Sequence, residues 1–177
     1  MEGIAIKKYQ ENYKNEIIDL ILDIQCKEFN IPITREEQPD LGDIPSFYQT
    51  GSGNFWVAVC DDKVVGTVAL LDIGNNQVAL RKLFVTPAYR GSLYNTAKLL
   101  VSSLLEWAGE HKVEEIFLGT TAKFLAAHRF YEKNGFTEIT RQNLPEAFPI
   151  MKVDTKFYYY RVHAEHDRGA DIQTDSI

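Results

Sequence analysis

The run from Gln77 to Ala108 constrains the fold more than any other stretch, because it reads as a strand, a tight basic turn and an amphipathic helix in direct succession. Gln77 to Val85 is dense in apolar and β-favouring residues and ends in Leu83-Phe84-Val85. Pro87 stops it, since its ring removes a donor that a strand ladder needs. Ala88-Tyr89-Arg90-Gly91-Ser92 then supplies one fixed positive charge and one residue free to take φ > 0. The helix follows, with Leu93, Ala97, Leu100, Val101, Leu104, Leu105 and Ala108 at spacings of three and four. Such a stripe packs on a sheet. A further strand over Glu115 to Thr120 completes a strand-helix-strand crossover.

A strand that turns straight into a helix leaves the first helical N–H groups unpaired and facing the turn. With the helix dipole and the donor fork of Arg90, that geometry suits an anion, phosphate above all. Two common phosphate sites are excluded. A Walker A loop needs a second Gly followed by Lys and Ser or Thr, whereas Thr96-Ala97-Lys98 stands here, and a dinucleotide fingerprint needs three glycines where only Gly91 is present. A net charge of −6 argues against nucleic acid but leaves room for a small polyanion held by local positive character.

The segment Leu83-Phe84-Val85-Thr86-Pro87-Ala88-Tyr89-Arg90-Gly91, followed by the apolar-striped helix, resembles the acetyl-CoA motif of the GNAT superfamily of N-acetyltransferases. His128-Arg129-Phe130-Tyr131-Glu132-Lys133-Asn134-Gly135-Phe136 resembles the later signature of the same family, in which Tyr is followed four residues on by Gly-Phe. The resemblance extends from about Ile4 to Val162. It implies an α/β (α+β) fold with a mixed, mostly antiparallel sheet of about seven strands and helices on both faces. It also implies acetyl-CoA as co-substrate without a metal, and transfer of the acetyl group by direct attack of a primary amine on a small molecule or peptide. On the matched positions, Leu83, Phe84 and Val85 line the thioester, with the N–H groups of Phe84 and Val85 polarising its carbonyl, and Arg90, Gly91, Ser92, Leu93, Tyr94 and Asn95 hold the pyrophosphate. Tyr131 falls at the position that protonates the departing sulfur. The sequence departs from the family pattern at Leu93 and Asn95, where small residues are usual, at Phe124, where an Asn is common, and in lacking a carboxylate beside Val78, Ala79 and Leu80. These departures favour a competing class, a non-catalytic acyl-CoA sensor or scaffold of the same shape.

The remaining chain fits one domain over residues 1–162 and a polar tail over 163–177 within a length of 177 residues. Cys26 and Cys60 lie in a helical and a strand pattern, as buried thiols of a reducing cytoplasm do. No apolar run approaches a bilayer span and Met1-Glu2-Gly3-Ile4 lacks a secretory start, so the expected place is the cytosol, without a membrane partner and compatible with a homodimer. Ile4 to Tyr9 reads as an edge strand, Asn12 to about Glu28 as a helix, Asp40 to Gln49 as a short helix, and Phe55 to Cys60 with Val64 to Ile73 as a hairpin. Lys123 to Asn134 reads as a helix capped by Gly135, Phe136 to Arg141 and Thr155 to Val162 as the last strands. The apolar connection Asn143 to Asp154 is placed to cover the acceptor site. For the general base, Glu28, Asp43, Asp72 and His128 stay open beside a base acting through water. Glu36, Glu37, Asp40 and Asp43 hint at a cationic acceptor, and His163-Ala164-Glu165-His166 lacks the spacing of a zinc motif.

Overall fold

A computed structural model describes residues 3–163; most of the expected tail, including the end of its His-Ala-Glu-His sequence, lies outside the described residues. Seven strands form one sheet in the order β1-β2-β3-β4-β5-β7-β6, where β1 is Ala5–Lys8, β2 Asn54–Cys60, β3 Lys63–Gly74, β4 Gln77–Val85, β5 Glu115–Thr120, β6 Thr137–Ile139 and β7 Lys156–Arg161. All neighbours are antiparallel except β4 and β5, which the crossover helix α3 (Thr96–Glu110) joins in parallel. The expected mixed sheet of about seven strands is therefore present, with helices on both faces.

One face is covered by α3, whose stripe buries Leu100, Val101, Leu104, Leu105 and Ala108 against Val68, Leu70, Val78, Leu80 and Ile116. On the other, α1 (Lys14–Leu22) lays Ile17, Ile18 and Ile21 on Phe55, Val57 and Ala69, beside the short α2 (Ile44–Tyr48). The fourth helix, α4 (Leu125–Lys133), ends at Gly135 in the left-handed conformation (φ +89°), as its capping position predicts.

Three boundaries differ from the sequence reading for identifiable reasons. α1 gives way at Asp23 to a wider π-helical turn running to Glu28. The Asp40 to Gln49 segment divides into a 3₁₀ turn, Pro39–Gly42, and α2, with Asp43 accepting from the Ser46 N–H between them. α3 starts at Thr96 and not at Leu93, because Asn95 takes a left-handed φ of +52° and breaks the helical run.

Two irregularities in β4 shape everything near the crossover. Its parallel ladder with β5 lasts three residue pairs, Gln77 to Ala79 against Glu115 to Phe117, although both strands continue. Past that point they diverge and leave a cleft. On the β3 side the register shifts between Arg81 and Phe84, where Lys82 adopts φ +58° and its carbonyl accepts from the Thr67 hydroxyl at 2.7 Å. This β-bulge turns the side chains of Arg81 and Lys82 to the same face, towards Tyr48 and Asp40 respectively. Among the described residues no helix is long and apolar enough to cross a membrane. Leu104 is fully buried at the centre of the α3 stripe, so Leu104→Ala is expected to destabilise the fold by about 2–5 kcal/mol. Urea unfolding monitored by tryptophan fluorescence measures that loss.

Candidate active site

A cavity of about 900 Å³ opens where β4 and β5 part, walled by β4, the start of α3, α4 and the connection that precedes β7. Leu83, Phe84 and Val85 form one wall. Backbone alternation decides which of their amides faces it. Thr86 donates its N–H to Val65 on β3, so the Val85 N–H points to the cleft and the Phe84 N–H points back to β3. The Val85 carbonyl lies on the cleft side too, where it accepts from Arg90 Nε at 2.8 Å.

Arg90, Gly91, Ser92 and Asn95 line one end. Gly91 takes φ +93°, a conformation that side chains strongly resist, and the Asn95 N–H closes the turn on the Gly91 carbonyl at 3.0 Å. The amides of Thr96, Ala97 and Lys98, all on the cavity wall, have no acceptor among the described residues. They are the open amides of a helix of 15 residues, the kind of donors that the strand-turn-helix pattern predicts. The sequence reading places the start of these donors three residues early, because the apolar stripe draws Leu93 into the helix. In the structure Leu93 is 73% exposed and Tyr94 leans on Tyr89 at 4.9 Å, and neither side chain joins the cavity wall. Arg90 is less free than its fork suggests. Its two terminal nitrogens bind both oxygens of Glu28, at 2.5 and 2.7 Å.

Tyr131 stands on the α4 wall among Phe130, Phe136 and Tyr158. Burial, with a smaller contribution from Tyr158, holds its phenol above the usual range, so it carries its proton at neutral pH. Its hydroxyl has no hydrogen-bond partner among the described residues and is not sealed off, which leaves it at the cavity surface.

None of the four titratable side chains considered as bases lines the cavity. Glu28 holds Arg90, Asp43 caps α2, and His128 binds the Thr121 carbonyl through Nε2 at 2.9 Å. Asp72 accepts from the amides of Ser52 and Gly74, which hold its carboxyl below the usual range. The acidic cluster is equally dispersed: Asp40 is buried beside Lys82 and accepts from Tyr48 at 2.5 Å, while Glu36, Glu37 and Asp43 are exposed. The four carboxylates behind the hint of a cationic acceptor therefore do not gather on the cavity wall. Among the described residues, seven Lys and Arg residues line the cavity against one carboxylate, Asp154.

Arg81, Lys82 and Asp154 were not singled out from the sequence. Two consecutive cations inside an apolar strand were a visible signal; the bulge that sets both on one face was not. Lys82 Nζ lies 2.5 Å from Gln38 Oε1 and 3.7 Å from Asp40 Oδ2, and burial pushes its ammonium down to about 8 while Asp40 pulls it back up. Asp154 accepts from the Met151 N–H at 2.8 Å, and burial raises its carboxyl against the opposing pull of that N–H and of Arg81 and Lys82. Among the described residues, no group of three or more His, Cys, Asp or Glu side chains is placed to hold a metal.

The model of the acetyltransferase (GNAT) family matches residues 18–136. The chain belongs to this family. A crystallised GNAT-family acetyltransferase from Staphylococcus aureus Mu50 is 41% identical and superimposes with a TM-score of 0.87 over 91% of this chain and 100% of its own. N-acetylaspartate synthetase from Xenopus tropicalis is 43% identical over 130 residues, 70% of this chain and 46% of that protein. The chain thus spans less than half the length of the curated relatives it matches first. An N-acetyltransferase from Thermoplasma acidophilum, crystallised with coenzyme A, shares the fold at 17% identity, with a TM-score of 0.70 over 90% of this chain and 99% of its own. For this GNAT domain, breaking the buried Lys82–Asp40 pair is expected to cost about 3–5 kcal/mol in Lys82→Met, with most of it recovered in Lys82→Met/Asp40→Asn. A double-mutant cycle of urea unfolding checks the difference.

Proposed function

We propose that this protein transfers an acetyl group from acetyl-CoA to a primary amine by direct attack within one cavity. The carrying observation is the pairing, on its walls, of an open helix N-terminus at Thr96 to Lys98 with an unpartnered, protonated Tyr131 hydroxyl. The amides and Arg90 bind the phosphates of the coenzyme, with Arg90 exchanging Glu28 for phosphate oxygens. The Val85 N–H, turned to the cleft, supports the thioester oxygen as negative charge grows on it. Tyr131 gives its proton to the leaving sulfur, a role that its raised pKa permits and that a tyrosinate could not fill.

Similarity to N-acetylaspartate synthetases supports acetyl transfer to nitrogen as the chemistry. The competing reading, a binding module without turnover, loses three of its motives. Leu93 points to solvent and does not stand between the amides and a phosphate. Phe124 packs between Phe29, at 4.8 Å, and Phe84, at 6.1 Å, as part of the cavity wall. The carboxylate absent from β4 has a counterpart in Asp154.

Release of free thiol from acetyl-CoA in the presence of a panel of amino acids, polyamines, aminoglycosides and peptides tests the reading. Bound acetyl-CoA that raises thermal stability without thiol release on any of these would replace it with the binding module. Tyr131→Phe is expected to lower kcat by roughly 10²-fold or more with acetyl-CoA affinity nearly unchanged, as removal of a general acid does; steady-state kinetics with calorimetry separates the two. Arg90→Ala is expected to weaken coenzyme A binding by roughly ten- to a hundredfold, the value of a charge-assisted contact, with the fold intact. Titration calorimetry reads that change, and an unaltered Kd would move the phosphate site elsewhere.

A further inference from the structure

We infer that the acceptor is an amino acid bound as a zwitterion, its carboxylate on the guanidinium of Arg81 and its amine against Asp154. The inference rests on the acetyl-transfer reading for the existence of an acceptor, and takes its chemistry from the walls of the cavity beyond the β4 bulge.

The two cations that the bulge sets on one face are differently occupied. Lys82 is engaged by Asp40 and by the Gln38 amide oxygen. Arg81 has no carboxylate within ion-pair distance among the described residues. Its guanidinium donates to the Met151 sulfur at 3.4 Å and lies 5.7 and 5.8 Å from the rings of Phe47 and Tyr48. A thioether is a weak acceptor and aromatic faces hold a cation without using up its donor fork. Arg81 is thus a half-buried cation on the cavity wall whose N–H groups are available for the planar, two-point contact that a carboxylate makes.

Asp154, the one carboxylate that lines the cavity among the described residues, stands close to this guanidinium, for Met151 takes the Arg81 N–H on its sulfur and donates its own N–H to Asp154. Asp154 rides on the connection before β7 and reaches the backbone of β5 because residue 119 is glycine; a Cβ there would sit 2.6 Å from Asp154 Oδ2. Gly119 itself lines the cleft where β4 and β5 separate, so the carboxylate stands at the mouth of that cleft. An ammonium placed against it transfers one proton to the carboxylate, and the freed lone pair forms the C–N bond at the thioester carbonyl carbon. The C–S bond breaks, the sulfur takes the proton of Tyr131, and the second proton of the attacking nitrogen passes to the tyrosinate, so that the amide leaves neutral and Tyr131 is restored. A polyamine would meet seven cations and one carboxylate on these walls, and an amino acid meets one partner for each of its charges.

Titration calorimetry with L-aspartate, succinate and spermidine, each with and without coenzyme A, tests the assignment, since succinate lacks the amine and spermidine lacks the carboxylate. The wild type is expected to bind L-aspartate, to bind succinate more weakly and to ignore spermidine. Arg81→Gln is expected to weaken both carboxylates at least tenfold, while Asp154→Asn weakens L-aspartate and spares succinate, a split that general damage to the cavity would not give. Should Arg81→Gln not fold, Arg81→Lys keeps the charge without the fork and is measured in its place. Preference for spermidine, failure to bind either carboxylate, or wild-type affinity for L-aspartate in the Arg81 variant overturns the inference. Thiol release separates it from the reading beneath it. Release with spermidine alone removes the amino-acid acceptor and leaves acetyl transfer standing, whereas L-aspartate binding in the expected pattern without release on any amine removes acetyl transfer and leaves the zwitterion site.

Discussion

The site depends on a ladder that stops. β4 and β5 share three residue pairs and then separate, although each strand runs on. Backbone groups that would otherwise pair across a parallel sheet are left facing a cleft, and a buried amide without a partner is costly unless something fills the space. The crossover between these strands is α3, so the same topology brings the open amides of a helix terminus to the cleft. A strand edge and a helix end, each short of partners, thereby meet in one cavity. The fold supplies backbone donors there before any side chain is considered, which is why the binding end needs so little of its own sequence.

Charge is distributed against the average of the molecule. The chain carries a net charge of −6, yet the cavity wall is strongly cationic. The carboxylates nearest to it are engaged elsewhere: Glu28 by Arg90 and Asp40 by Lys82 and Tyr48. Each of these pairs mutes a cation in the absence of ligand, and the Arg90 pair, about a third exposed, is weak enough to be exchanged for phosphate. Asp40, by contrast, is buried with its partner and serves as a fixed strut under the bulge.

Much of this was legible in the chain. The crossover and the turn at Gly91 follow from periodicity and turn chemistry, which are local properties, while the sheet of about seven strands and the places of Val85 and Tyr131 came from the resemblance to a known family. The start of α3 was misplaced by three residues because a hydrophobic stripe does not announce where it leaves the helix, and the left-handed Asn95 that decides it is a matter of backbone conformation. The acceptor side was harder for a different reason. Asp154 lies more than 70 residues from Arg81 and Lys82 and meets them only through a bulge, a glycine on a neighbouring strand and a connection without regular structure, none of which has a sequence period. Counting acidic residues near Asp40 did not reveal what lines the cavity, since a composition cannot tell a carboxylate that lines a cavity from one that faces a lysine.

The bulge at Lys82 also fixes a parity. Val78 and Leu80 face α3 from the first half of β4, and Leu83 and Val85 face it from the second, so the two halves are separated by an odd step that a regular strand with its period of two cannot make. The extra residue is what lets a single strand keep its apolar side on one core throughout while presenting two successive cations on the other. Flattening the bulge with every residue kept would therefore preserve the strand's length and propensity but exchange inside for outside in its second half, carrying Phe84 into the α3 core and Val85, with the amide that faces the cleft, out of it. The end of β4 that lines the cleft is in this sense addressed by counting, and the left-handed lysine is the mark from which the count begins.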